Sequence, residues 1–317
     1  MVVFSFQTNF FLVMLLYLIY SLLTTPTFSL VNTVTFHHYY DTREKYGNIR
    51  LWGTVSWIMV GWFFSYFWLK LGNGNISGSL IFSAIFSALT GLYCLTIPKP
   101  KAIIAKPASF LPIESMKVFF KSRILTVTIF VCIVSLLDKF YIVGISPFLK
   151  QSGFPEYAIM PAMTLGQISE IIIMTLLAVF IKKIGFKKVF MIGIFFEIIR
   201  YTVFSLTSNP VFIIPALFVH GITYAFIYVP MLIYLDTHCE KINRAGVLQL
   251  NNIFVTGLSG FLGNVLSGFV GTLFTFPETD KINYFYYWAV PLVLSIIGMI
   301  YVSLSIKNVK KVIHQNT

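Results

Sequence analysis

The chain has 317 residues, of which 57% are hydrophobic, 17% aromatic and 11% charged, and its mean hydropathy is +0.83. This composition excludes a soluble globular domain, in which about a quarter of the residues are charged. The formal net charge of +12 does not indicate nucleic-acid binding, because most basic residues fall in alternate loops between apolar segments. We therefore predict an all-α polytopic membrane protein that contacts the lipid bilayer and binds no nucleic acid.

Nine apolar segments follow one another along the chain, each about as long as the 20 residues that a membrane helix needs. They cover approximately residues 9–36, 49–71, 78–97, 124–149, 157–181, 188–206, 211–235, 246–274 and 284–306. The first three predict a partial N-terminal bundle within residues 1–97. Residues 98–123, which are rich in proline and basic residues, predict a cytoplasmic linker. Residues 124–306 then form a six-helix bundle, followed by a tail over 307–317.

The distribution of basic residues predicts the orientation. The loops on one side of the membrane hold only Lys70, Lys150 and Lys281, so the positive-inside rule places the opposite loops and the C-terminus in the cytoplasm. The N-terminus is then outside, although Met1–Leu22 lacks the basic start and cleavage site of a signal peptide. We expect a missing N-terminal segment to explain this orientation. The three cysteines lack metal-ligand spacing, and we expect no metal and no cofactor.

Glu170 is the only charged residue in the 25-residue segment Tyr157–Ile181 and lies near its middle. A carboxylate there costs roughly 2.5–3.5 kcal/mol on insertion scales, so such residues usually face a bundle interior or a wet cavity. Gln167 shares its helix face at i, i+3, with Thr164 one turn earlier. A hydrogen bond between helices would be a purely structural explanation, but the cost of burying a glutamate favours a function.

Two further polar faces are candidates for ligand contact. Arg50, Thr54 and Trp57 share one face of the second segment, although Arg50 at the cytoplasmic end could instead bind lipid phosphates. His220 and Tyr224, at i and i+4 in the seventh segment, suit a planar polar ligand. A membrane histidine is often only held by hydrogen bonds, while proton carriage by His220 is an alternative.

Other intramembrane polar residues have a structural explanation. Glu197 and Arg200, at i and i+3, can pair within one helix. Asp138 and Lys139 are adjacent and about 100° apart on a helix, so each needs a partner of its own. The eighth segment has small residues every fourth position, which predict close packing of another helix: Ser259, Gly263, Ser267 and Gly271.

Three sequence segments resemble the nucleoside:proton symporter family of the major facilitator superfamily. They are Ile49–Thr54, then Gln167–Glu170 followed by Lys183–Lys188 and Arg200, and finally Arg244–Ala245 before the glycine-rich segment. The resemblance covers nearly the whole chain and matches its nine segments to helices four to twelve of the family's twelve. It implies a major facilitator fold, N-terminally truncated, and proton-coupled uptake of nucleosides by alternating access across the cytoplasmic (inner) membrane.

The resemblance also implies the site residues. Arg50, Thr54, Gln167 and Glu170 match family positions that line a central cavity. From the residues themselves, Glu170 and His220 are the candidates for proton coupling. The protein would act as a monomer driven by a proton gradient. The match fails where the family has tyrosine, phenylalanine and aspartate, because this chain has His220, Tyr224 and Ala225. It fails again at Lys139 and Ile142, which replace an amide pair.

These departures leave three alternatives open. The cargo could be another small solute such as a sugar or an aromatic or organic acid, with Lys139 as a counter-charge for an anion. The chain could also be a remnant that does not transport. A membrane enzyme would need a catalytic cluster, for which His37–Asp41 is the nearest candidate, but this cluster has no second ligand group elsewhere.

Overall fold

A computed structural model describes residues 9–38, 42–72, 74–96, 113–240 and 243–306. Apart from one isolated bridge between Thr275 and Ile282, the secondary structure of these residues is helical. The chain forms two compact units, Met1–Pro107 and Ala108–Thr317. The prediction of an all-α protein is therefore confirmed for the described residues.

In the first unit the residues that the structure describes form three α-helices, α1 (Phe10–His38), α2 (Thr42–Phe63) and α3 (Gly78–Cys94), and α2 continues as a π-helix over Phe64–Leu71. The Asn9 side chain caps α1 by accepting hydrogen bonds from the backbone N–H groups of Phe11 and Leu12, at 3.0 and 3.3 Å. Helices α1 and α3 follow the first and third predicted segments within a few residues, whereas α2 begins at Thr42, seven residues before the second predicted segment.

Trp68 closes the turn between α2 and α3. Its indole N–H donates to the carbonyl oxygen of Asn75 at 2.9 Å, and its ring packs edge-on against Phe82 of α3 with centroids 5.3 Å apart. A Cβ on either Gly74 or Gly78 would lie 2.4 Å from the indole nitrogen. Both glycines are therefore required by the close approach of the ring to the backbone.

The described residues of the second unit form eight α-helices. They are α4 (Ile113–Phe119), α5 (Ser122–Gln151), α6 (Glu156–Met163), α7 (Leu165–Leu206), α8 (Pro210–His238), α9 (Arg244–Asn252), α10 (Ser259–Leu273) and α11 (Tyr284–Ser305), with a π-helical segment Ile253–Leu258 between α9 and α10. Helix α4 lies inside the predicted linker and was not anticipated. It packs on this unit through buried Phe119, whose ring stacks on Phe254 at 5.4 Å. Residues 98–112 of the linker and the tail 307–317 lie outside the described residues.

Local sequence signals set the ends of these helices. Gly153, with φ of 89°, ends α5, and the N–H of Phe154 bonds back to the carbonyl of Leu149 at 3.0 Å. Asn209 caps α8 by accepting from the N–H of Val211 at 3.0 Å, with Pro210 at the first helical position.

Helix α7 contains two of the predicted membrane segments. At Gly185 the backbone leaves the helical region, with φ of 78° and ψ of 166°. With α6 it belongs to an apolar stretch of 51 residues, Glu156–Leu206. At 1.5 Å per residue this stretch is about 76 Å long, more than twice the thickness of a hydrocarbon core of about 30 Å. It therefore accounts for two membrane crossings that meet near Gly185.

Within the described residues, five helices are long and apolar enough to cross a membrane, and two further apolar helices, Phe10–Thr24 and Gly78–Cys94, are shorter. These helices support an integral membrane protein. In the second unit the hydroxyl of Tyr287 on α11 bonds Ser267 of α10 at 2.7 Å and donates to the carbonyl of Phe140 on α5 at 3.1 Å. One buried tyrosine thus joins three helices.

Glycines permit the closest helix contacts, as the small-residue stripe of α10 predicted. A Cβ on Gly263 would lie 2.7 Å from the carbonyl oxygen of Leu136 on α5. The tightest contact is between α7 and α8, where a Cβ on Gly221 would lie 1.9 Å from the carbonyl oxygen of Gly166. No side chain fits at that crossing, so the two backbones touch directly.

We expect Gly221→Ala to destabilise the protein by about 1–3 kcal/mol or more, because the added methyl group overpacks a contact between two backbones. Gly268→Ala is the matched control, since a Cβ there meets nothing within 4 Å, and alanine favours a helix over glycine by at most about 1 kcal/mol. The midpoint of thermal unfolding of the purified protein in detergent measures both changes. Equal midpoints for the two variants would contradict the close contact.

Candidate functional site

Glu170 and Gln167 lie on α7 at its crossing with α8, and both are half-buried. Between them, the buried hydroxyl of Ser169 donates to the carbonyl oxygen of Gly166, at 2.8 Å, and to that of Phe218 on α8. A Cβ on Gly221 would lie 2.4 Å from the backbone nitrogen of Glu170. The same close contact that joins the two helices therefore fixes the backbone from which Glu170 projects.

His220 lies at this crossing and points toward a second polar cluster. Its Cδ2 atom is 3.0 Å from the place that a Cβ on Gly166 would occupy. The imidazole stacks on the ring of Tyr141 with centroids 4.3 Å apart, and its Nδ1 contacts Nη1 of Arg200. Because a guanidinium only donates hydrogen bonds, Nδ1 is the acceptor, and the ring is neutral with its proton on Nε2.

Arg200 is the centre of the second cluster and is fully buried in α7. Its Nη2 atom lies 2.6 Å from Oε1 of Glu197, 3.2 Å from the hydroxyl of Tyr201 and 3.5 Å from Oδ1 of Asp138 on α5. The guanidinium carbon also lies over the ring of Tyr141 at 4.6 Å. Groups from α5, α7 and α8 thus surround one cation, and we call Asp138, Glu197, Arg200 and His220 the Arg200 cluster.

Two tyrosines of α8 extend this cluster. The hydroxyl of Tyr228 donates to Oδ2 of Asp138 at 2.6 Å. The ring of Tyr224, one turn earlier, lies 5.0 Å from that of Tyr228 between centroids. Tyr224 thus contacts Tyr228 on one side. Its side chain is half-buried and therefore remains partly accessible.

The structure therefore brings together four of the predicted site residues, Gln167, Glu170, His220 and Tyr224, around the crossing of α7 and α8. The other three lie on α2 in the first unit. Thr54 is half-buried and Trp57 is 46% exposed. The side chain of Arg50 lies outside the part of the chain that the structure describes.

The predicted pairing of Glu197 with Arg200 is confirmed. Arg200 also bonds residues of two other helices, Asp138 of α5 and His220 of α8. Asp138 has its partners in Arg200 and Tyr228. Lys139 turns the other way: its Nζ atom is 3.9 Å from the position of a Cβ on Gly260 of α10. The sequence predicted that these buried charges need partners. It did not predict that Asp138 and His220 would both contact Arg200.

Among the described residues no group of three or more histidine, cysteine, aspartate or glutamate side chains could hold a metal ion. The side chains of the His37–Asp41 cluster, which the enzyme alternative requires, lie outside the described part.

Arg200→Met is expected to destabilise the protein by about 3–5 kcal/mol, because it leaves two buried carboxylates without their cation. Lys150→Met is the control, since Lys150 forms a 2.5 Å ion pair with Glu156 at the surface, where such pairs contribute about 0–1 kcal/mol. Unfolding midpoints in detergent compare the two variants. A small loss for Arg200→Met would show that the carboxylates do not depend on the guanidinium.

Known proteins similar to this chain are transport proteins. The putative nucleoside transporter YegT of Escherichia coli (strain K12) is 29% identical over 273 residues, which are 83% of this chain and 64% of that protein. The nucleoside permease NupG of the same organism is 24% identical over 82% of this chain and 66% of its own length. The xanthosine permease of that strain is 24% identical over 77% and 62%, respectively. The chain thus spans slightly less than two thirds of the length of each relative.

Solved structures of NupG share the fold. An aspartate-to-alanine variant of that transporter superposes with a TM-score of 0.83 at 22% identity, covering 96% of this chain and 79% of that one. A second NupG structure gives a TM-score of 0.74 at 23% identity, covering 88% and 72%. The prediction of an all-α membrane-protein fold is confirmed, because the chain shares the fold of this transporter. A family model described as nucleoside H+ symporter matches residues 1–311, so the chain belongs to the nucleoside H+ symporter family.

Proposed function

We propose that this chain carries out proton-coupled uptake of nucleosides across the cytoplasmic membrane. Its family supports the class of reaction, and one observation supports the site. Glu170 is a half-buried carboxylate in the middle of a membrane segment, at the helix crossing that also holds His220. Carboxylates in such positions are rare and often mark substrate or proton pathways.

The polar groups at the α7–α8 crossing suit a nucleoside, which offers ribose hydroxyls, base edges and an aromatic face. Glu170 would accept hydrogen bonds from the ribose or the base, and the partly accessible ring of Tyr224 would stack on the base. His220 would be a second polar contact. Ligand contact by Arg50, Thr54 and Trp57 of α2 stays a prediction from the sequence.

Gln167 adds an independent argument for a polar ligand. Its Oε1 atom is buried and has no hydrogen-bond partner among the described residues. An unsatisfied carbonyl oxygen in the protein interior costs about 1–3 kcal/mol. An N–H or O–H group of a bound substrate would satisfy it, and this oxygen lies one helical turn before Glu170.

A different small solute is the second candidate. Ala225, at the place of the family's aspartate, is fully buried and offers no polar group, and the half-buried Lys139 supplies a cation that faces α10. Competition of unlabelled sugars, aromatic acids and organic acids with labelled uridine uptake separates the two candidates, because only a true substrate competes at low concentration.

Glu170→Gln is expected to reduce uridine uptake roughly tenfold to a hundredfold, which corresponds to a hydrogen bond to a charged group of about 1.5–3 kcal/mol. Two assays in proteoliposomes separate its roles. If Glu170 binds substrate, both gradient-driven accumulation and exchange of preloaded uridine fall. If it carries the proton, accumulation is lost and exchange persists.

Glu156→Gln is the matched control, because it removes a partly exposed carboxylate that pairs with Lys150 at the start of α6, and it should transport normally. Accumulation of uridine against a gradient at the normal rate by the Glu170→Gln variant would contradict both roles of Glu170.

We also propose that the C-terminus is cytoplasmic and that the protein lies in the inner membrane. A green fluorescent protein fused after Thr317 should then fluoresce, while alkaline phosphatase at the same place should be inactive. Alkaline phosphatase fused after Glu278, in the loop between α10 and α11, should be active and serves as the control. The reverse pattern of phosphatase activity would overturn the orientation.

A further inference from the structure

The Arg200 cluster contains more acidic groups than basic ones. It contains two carboxylates, Asp138 and Glu197, and one guanidinium, while His220 is neutral because it accepts from Arg200. The other titratable groups that face it are the neutral phenols of Tyr141, Tyr201 and Tyr228. With both carboxylates ionised, the cluster would carry one net negative charge.

Lys139 does not balance this charge by direct contact. It is adjacent to Asp138 in sequence, but its ammonium group lies toward Gly260 of α10, and its side chain is half-buried. Among the described residues it forms no ion pair with either carboxylate within 4 Å. Arg200, in contrast, is fully buried and bonds both. An uncompensated charge in the interior is costly, so a single bound proton would stabilise the cluster.

The hydrogen bonds indicate which carboxylate holds that proton. Both oxygens of Asp138 face a donor, since Oδ1 faces Arg200 at 3.5 Å and Oδ2 accepts from Tyr228 at 2.6 Å. Glu197 is fully buried, and only its Oε1 accepts, from Arg200 at 2.6 Å. Its Oε2 has no hydrogen-bond partner among the described residues.

An ionised carboxylate with a bare buried oxygen is costly, whereas a protonated one carries its own hydrogen there. The neighbouring hydroxyls do not supply that hydrogen, because Tyr201 donates to the carbonyl oxygen of Leu137 at 2.7 Å and Thr223 donates to that of Gly193 at 3.4 Å. We propose that Glu197 binds one proton on Oε2, which makes the Arg200 cluster neutral, and that this proton is the one coupled to substrate movement. The coupling part rests on the proposed function; proton binding itself does not.

His220 connects this proton site to the α7–α8 crossing. Its ring contacts Arg200 on one side and lies beside Gly166 on the other, one residue before Gln167. Release of the proton from Glu197 would add a negative charge next to the guanidinium and strengthen the hold of the carboxylates on it. His220 and the two carboxylates accept hydrogen bonds from the same guanidinium, so a stronger contact with the carboxylates weakens the contact with His220. His220 is therefore a positioning residue that passes the charge state of Glu197 to the predicted substrate contacts.

Infrared spectroscopy of the purified full chain tests proton binding directly. A protonated carboxyl group absorbs apart from carboxylates, and its band shifts in heavy water. The wild-type protein should show such a band for a buried carboxyl at neutral pH. Glu197→Gln should lose it, and the control Glu156→Gln should keep it.

Asp138→Asn provides the sharper test and does not alter Glu197. With one carboxylate left beside one guanidinium, the charges balance without a proton, so Glu197 becomes ionised and the band should disappear. A merely structural role of Glu197 does not predict this loss. An undiminished band in a folded Asp138→Asn or Glu197→Gln variant would overturn the proposal, and if one variant fails to fold, the other decides.

Transport assays then test the coupling. Glu197→Gln should lose gradient-driven accumulation of uridine while keeping exchange, because its amide cannot bind and release a proton. Normal accumulation by this variant would overturn the coupling. Absence of uridine transport by the wild-type protein would instead refute the proposed function and leave the infrared result standing, so the two failures are distinguishable.

Discussion

The buried guanidinium of Arg200 is the constraint on which the second unit depends. Arginine cannot be deprotonated in a protein, so its charge must be accepted by whatever surrounds it. Here the acceptors come from three helices: Asp138 of α5, Glu197 of α7 itself and His220 of α8. Because hydrogen bonds demand both distance and direction, these contacts fix how the three helices are rotated about their axes. The positions of Tyr228 and Tyr141 follow from the same arrangement.

The second unit contains intramembrane carboxylates in two different environments. Glu197 and Asp138 lie deep in the Arg200 cluster, where a cation fixes their geometry. Glu170 lies half-buried at the crossing of α7 with α8, on a face with Gln167. A carboxylate that is enclosed with a cation suits exchange of a proton, and one that remains partly accessible suits contact with a solute. His220 lies between the two environments and contacts both the guanidinium and the backbone of α7.

The sequence alone predicted the helical segments well, since the length of an apolar run is a local property. The pairing of Glu197 with Arg200 was equally predictable, because residues at i and i+3 are neighbours on any helix. The partners of Asp138 were not, since they depend on how α5, α7 and α8 are rotated against one another. Helix α4 was missed because its seven residues follow a stretch rich in proline and lysine. The functional assignment of Glu170 came from its isolation in an apolar segment, whereas the deeper cluster had seemed only structural.

The backbone contact of Gly166 with Gly221 has a mechanical consequence. Helices separated by long side chains can slide, since those side chains change rotamer at little cost. Two backbones in direct contact have no such layer between them, and the shared hydroxyl of Ser169 adds a further link. This part of α7 and α8 therefore behaves as one rigid body in any rearrangement of the chain. Glu170 and His220 would keep their separation throughout, so a ligand bound by both would stay on a binding surface whose geometry does not change.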